Sequence, residues 1–136
     1  ADIRKKLLVH LDGNAAEADE IIAMLLNEKY VDDLRYASAY ARDKSSISGW
    51  GAVKIRYMLA SKGVSADIIA SALDEIDSGK AQARLDKLME TKFRTLKDDP
   101  QCRLKMLRFA LGRGYGYEEA ASIVEALIKG KRDESL

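Results

Sequence analysis

The sequence predicts an all-α protein built as tandem three-helix repeats in an elongated or crescent array. Three observations carry that prediction. Apolar residues recur three or four positions apart through most of the 136 residues, the spacing that gives a helix one buried face. One proline and nine glycines are too few for a β-sandwich, which needs turn signals every ~8–12 residues. Finally, Lys54, Ile55, Leu59, Lys62, Gly63 and Val64 are matched without a gap by Lys105, Met106, Ala110, Arg113, Gly114 and Tyr115. Such self-similarity marks a repeat architecture, in which each small unit buries too little alone and is stabilised by its neighbours.

Ile3, Leu7, Leu8 and Leu11 give a first helix over about 2–11, ended by Asp12, Gly13 and Asn14. A second, from Glu17 to Asn27, has Ile21, Ile22, Met24 and Leu25 as its buried set. Asp32 or Asp33 is expected to cap the next helix, because a carboxylate oxygen can accept a free amide of the first turn and complements the helix dipole. That helix runs to about Lys44 with Leu34, Ala37 and Ala41 inward, and Tyr36 and Trp50 are expected to pack in the core. After the turn through Gly49, Trp50 and Gly51, a helix over about 52–61 stops at Gly63, placed for the left-handed residue that ends many helices. Ser65 caps the following helix, whose stripe is Ile68, Ile69, Ala72, Leu73 and Ile76.

The pattern then repeats. Lys80 to about Lys97 carries Ala81, Leu85, Leu88, Met89 and Leu96, and Pro100 marks the break before a helix over 101–112 that Gly114 closes. Tyr117 to Ile128 finishes with Ala120, Ile123, Val124 and Leu127. The expected organisation is eight helices: a shortened first repeat of two helices (1–31), a second repeat (32–77), a third (78–128) and a flexible tail (129–136).

The formal charge of +1 is too small to imply nucleic-acid binding by itself, so its distribution matters. No acid occurs between Asp43 and Asp67, where Lys44, Lys54, Arg56 and Lys62 fall, or between Asp99 and Glu118, where Arg103, Lys105, Arg108 and Arg113 fall. Two corresponding segments are therefore acid-free, and such stripes can contact phosphates or an acidic protein groove. Tyr36, Tyr40, Trp50 and Tyr57 lie among the cations and could stack on bases, although core packing explains the same spacing. The lone His10 and lone Cys102 form no ligand cluster, so no metal or cofactor is expected. Gly49 to Gly51 lacks the glycine, lysine and hydroxyl pattern of a phosphate loop. The carboxylate pairs Asp32–Asp33 and Asp98–Asp99 precede helices and read as caps rather than acid–base catalysts. An enzyme acting on a small-molecule substrate is not expected. A single cysteine suits a reducing compartment, and neither a membrane span nor a signal peptide is legible, so the expected location is cytoplasmic.

Taken together, Asp32, Asp33, Arg35, Tyr36 and Ala37, the Gly49–Trp50–Gly51 turn, the Lys54 to Gly63 helix end and the recurrence at Arg108, Phe109, Arg113, Gly114 and Tyr115 resemble the RecX regulatory proteins. The resemblance covers about Ile3 to Leu127. It implies three tandem three-helix repeats that bind the RecA–DNA filament and limit its growth, damping strand exchange, ATP hydrolysis and coprotease activity. Ala110 stands where the family has a larger aliphatic residue, and Leu111 beside it is expected to fill the space. The surface expected to meet RecA, with single- or double-stranded DNA as a further contact, comprises Arg42, Lys44, Lys54, Arg56, Tyr57, Lys62, Arg103, Lys105, Arg108 and Arg113. A stand-alone helix-turn-helix DNA-binding protein and an α-repeat scaffold are the alternatives.

Overall fold

The computed structural model describes residues 15–135; side chains are described as far as residue 131. The helix expected over 2–11, and His10 within it, lie outside the described residues. Six α-helices follow in order: α1 (Ala15–Ser46), α2 (Ala52–Ser61), α3 (Ala66–Asp74), α4 (Ser78–Leu96), α5 (Cys102–Gly112) and α6 (Tyr117–Ser135). No strand occurs among the described residues. The protein is all-α, a tandem arrangement of three-helix bundles.

The first bundle packs the C-terminal half of α1 against α2 and α3, and the second packs α4, α5 and α6. Ala37, Ala41, Ile55, Leu59, Ile68, Ile69 and Ala72 form one core. Leu85, Met89, Cys102, Met106, Ala110, Tyr115, Ala120 and Val124 form the other. Both follow the expected stripes. The alanines of α1 let α3 approach closely, and Ile55 and Leu59, one turn apart on α2, close the bundle from the third side.

Several expectations need correction. Of the expected buried set Ile21, Ile22, Met24 and Leu25, the isoleucines are half-buried and Met24 and Leu25 are 64% and 46% exposed, because neither bundle core reaches this part of α1. The break between a helix at 17–27 and another starting at Asp32 is absent, since α1 is continuous. Asp32 and Asp33 therefore sit inside a helix and cap nothing; Asp32 instead lies 3.9 Å from Arg35 one turn on. Nothing between Asn27 and Val31 breaks a helix, and Glu28 and Lys29 favour one. The last helix likewise continues to Ser135 rather than ending at Ile128. Leu111 is 44% exposed and leaves the core to Ala110.

Helix ends behave as the side chains dictate. Ser65 Oγ accepts from the Ile68 amide at 3.5 Å, and Asp77 Oδ1 accepts from the Lys80 amide at 2.9 Å. Gly63 and Gly114 have φ of 84° and 93°. At each, two amides fold back on the last turn: Gly63 donates to Ala60 O and Val64 to Leu59 O, while Gly114 donates to Leu111 O and Tyr115 to Ala110 O. These paired bonds define a Schellman stop.

The equivalent glycines differ in surroundings. A Cβ at Gly63 would meet nothing within 4 Å, whereas one at Gly114 would lie 2.2 Å from Lys54 Cβ. Gly114 belongs to the joint between the bundles. There the Gly51 amide donates to Arg113 O at 2.8 Å and the Val53 amide to Gly114 O at 3.0 Å. An orphan donor at the start of α2 thus meets an orphan acceptor at the end of α5, and the opposed helix dipoles attract. Tyr115 OH donates to Gly49 O at 2.9 Å, and Arg113 Nη1 to Ser48 O at 3.1 Å. Arg84 Nη2 reaches Ser45 Oγ at 2.7 Å. The Gly49–Trp50–Gly51 turn is the surface by which the first bundle seats on the second.

Candidate functional site

The outer surface of the first bundle carries a row of aromatic rings. Tyr36 and Tyr40 have centroids 6.0 Å apart, and Tyr40 and Trp50 meet edge to face at 6.5 Å. Helical spacing sets the first pair, and the turn after α1 swings Trp50 back beside Tyr40. Trp50 and Tyr40 flank the core, but Tyr36 is 47% exposed, so its expected core role does not hold.

Lysines lie over these rings. Lys54 Nζ is 4.3 Å from the Trp50 centroid and Lys44 Nζ 4.7 Å; Lys44 is also 5.6 Å from Tyr40, and Lys62 5.8 Å. None of these three lysines makes an ion pair among the described residues. An exposed cation–π contact stabilises by about 0.5–1 kcal/mol, similar to a surface ion pair. The electrostatic outcome is different, because a ring has no net charge to cancel the lysine's. These cations are held in place with their field intact. Tyr57, 71% exposed on α2, extends the face, whereas Arg56 lies on the other side of that helix and borders the α2–α3 groove with Ile69 and Asp74. Arg42 stands 4.0 Å from Asp43.

The second bundle treats its cations otherwise. Arg103 donates through Nε and Nη2 to the two oxygens of Glu125 at 2.6 and 3.0 Å, tying α5 to α6. Lys105 Nζ donates to Asp99 Oδ2 at 2.6 Å, and Asp99 Oδ1 accepts from the Gln101 amide at 2.7 Å. These bonds hold the Asp99 carboxyl below its ordinary value, the Lys105 ammonium contributing most, and the bond to Glu125 raises the Arg103 pKa. The acid-free stripe expected here is thus compensated at Arg103 and Lys105 by acids from outside the sequence window. Arg108 is exposed and makes no ion pair among the described residues, and Arg113 is drawn into the joint. Of the ten cations and rings expected to form one surface, the structure gathers Lys44, Lys54 and Lys62 around the rings of the first bundle.

Other chemistry can be placed briefly. Cys102 is buried, and burial pushes its thiol pKa up. Tyr115 is buried against the joint, which raises its phenol. Among the described residues no cluster of His, Cys, Asp and Glu could hold a metal ion, and no helix is long and apolar enough to cross a membrane. The second helix of the α2–turn–α3 pair, where a helix-turn-helix protein would read bases, carries Asp67 and Asp74 and no Lys or Arg. That surface repels a phosphate backbone.

A family model described as RecX, second three-helix domain, matches residues 32–73. The Regulatory protein RecX of Clostridium perfringens (strain SM101 / Type A) is 35% identical over 134 residues, covering 93% of this chain and 62% of its own length. That of Clostridium tetani is 29% identical over 114 residues, with 81% and 52% covered. The Regulatory protein RecX of Pectobacterium atrosepticum is 32% identical over 138 residues, covering 90% of this chain and 84% of the relative. The chain spans about half to three-fifths of the length of the clostridial relatives. No solved structure matches.

Proposed function

This chain belongs to the RecX family of regulatory proteins, and from that premise we propose that it binds the RecA recombinase filament and restrains its growth. ATP hydrolysis, strand exchange and coprotease activity fall as a consequence, and recombinational repair and the SOS response are modulated. The control is steric and electrostatic, without chemical turnover, and it operates in the cytoplasm. The observation that supports a binding role is the Tyr36–Tyr40–Trp50 row with Lys44, Lys54 and Lys62 uncompensated around it. A filament built on DNA offers phosphates and acidic loops, and cations not cancelled by neighbouring carboxylates gain most from such a partner.

The test is RecA-dependent ATP hydrolysis on single-stranded DNA, titrated with this chain before and after filament assembly. Inhibition is expected below one chain per RecA protomer, and Lys44→Glu with Lys54→Glu and Lys62→Glu weakens it while the helical circular dichroism is retained. Lys105→Glu, at a cation already paired with Asp99, has the smaller effect. Undiminished inhibition by the folded triple variant defeats the assignment of this face, and no inhibition in either order of addition defeats the filament reading for this chain.

A further inference from the structure

A second cationic feature lies in the cleft between the turn after α1 and the helices α4 and α5. Its volume is about 490 Å³, within the ~300–1,000 Å³ typical of small-ligand sites. Arg84, Lys87, Lys92 and Arg113 line it, and no carboxylate does. None of the four makes an ion pair among the described residues.

Their retention in the cleft has other causes. The Phe109 ring holds Lys92 Nζ at 5.2 Å and the Arg113 guanidinium at 5.3 Å from its centroid. Arg84 uses Nη2 on Ser45 Oγ and leaves its buried Nε without an acceptor. Helix α4 sorts its side chains accordingly: Arg84, Lys87, Leu88, Thr91, Lys92 and Thr95 share the face toward the cleft. Its acids are elsewhere, Asp86 accepting from Gln82 at 3.0 Å and Glu90 lining a different cavity. Beside the charges are Leu88 and Ile47, the latter 80% exposed at the tip of its turn.

Cations and hydroxyls suit phosphate oxygens, and an adjacent apolar wall suits the flat face of a base. We infer that this cleft binds a nucleotide, with the phosphates against Arg84, Lys87, Lys92 and Arg113 and the nucleoside against Leu88 and Ile47. The nucleotide is supplied either free in solution or within a single strand. The inference stands apart from the filament reading, because only Arg113 is shared with the surface assigned to RecA and the ligand is met without RecA.

The test is calorimetric titration of the full chain with adenosine triphosphate, with inorganic triphosphate, and with oligothymidine lacking terminal phosphates. Lys87→Glu combined with Lys92→Glu is expected to weaken nucleotide binding at least ~10-fold through loss and reversal of charge-assisted contacts. Arg94→Glu, at a cation of the same helix that borders a different cavity, is expected to leave it unchanged. Binding of oligothymidine alone, with the same dependence on Lys87 and Lys92, assigns the nucleotide to a strand and supports the inference. Inorganic triphosphate binding as tightly as adenosine triphosphate overturns the nucleoside contact. No binding by nucleotide or strand, or binding indifferent to the reversal at Lys87 and Lys92 in a folded variant, overturns the site. With RecA absent from the assay, failure here leaves the filament reading standing.

Discussion

Gly51→Ala sets local preference against tertiary contact. Gly51 has φ −82° and ψ 168°, extended backbone that alanine adopts freely. Alanine there would by itself stabilise the chain by about 0.4–1 kcal/mol through the unfolded state. The structure predicts the opposite sign. A Cβ at this position would lie 2.4 Å from Gly114 O and 2.7 Å from the Tyr115 amide nitrogen, so the joint must open. Opening forfeits the Gly51–Arg113 and Val53–Gly114 backbone bonds and the Tyr115–Gly49 bond. At roughly 1 kcal/mol each, and after the backbone gain is subtracted, the expected destabilisation is about 2–3 kcal/mol. Urea denaturation followed by far-ultraviolet circular dichroism measures it. Fluorescence of Trp50, the single tryptophan and next to the substituted residue, reports the opening. Gly63→Ala is the control: its site is empty within 4 Å, so it costs only the left-handed conformation, about 1–2 kcal/mol. Wild-type or higher stability of Gly51→Ala would refute the idea that close approach at the joint holds the bundles together.

Two further outcomes follow from titratable groups. Asp99 is held below 3.8 mainly by Lys105 and by the Gln101 amide; its stabilising contribution is present above the unfolded-state value and lost as pH falls through the lower folded-state value. Asp99→Asn should therefore be less stable than the parent at pH 7 and equal to it well below pH 3.8, as urea midpoints at both pH values would show. Buried Cys102, with its thiol raised by desolvation, should react with a thiol reagent at the rate of local opening, and fast labelling of the native protein would contradict its place in the core.

The chain's local chemistry was readable in advance where one residue decides. Gly63 and Gly114 stop their helices because glycine tolerates positive φ, and the stripe Ile68, Ile69 and Ala72 is buried because periodicity fixes a face. The continuity of α1 was not readable. A cap-type aspartate permits a helix start without demanding one, and the unbroken sequence around Glu28 and Lys29 decides the matter. Nor were the compensating acids. Glu125 stands 22 residues from Arg103, so an acid-free stretch of sequence says nothing of the acid a neighbouring helix supplies. The close approach of Gly51 and Gly114 is equally non-local, and an isolated Gly-Trp-Gly reads only as a turn. The aromatic row was visible as residues, but that its lysines keep an uncancelled charge depends on geometry.

The joint between the bundles rests in part on main-chain atoms and the bareness of two glycines, beside the side-chain bonds of Tyr115, Arg113 and Arg84. Amides and carbonyls are common to almost every residue type, so replacing Val53 or Arg113 by most other residues leaves the Gly51–Arg113 and Val53–Gly114 bonds chemically available. The angle at which one bundle is presented relative to the other is thereby insulated from drift in surface composition. The lysines over Trp50, and Lys87 and Lys92 of the α4 cleft, can be exchanged, and their preferences for partners retuned, on a frame whose alignment stays the same.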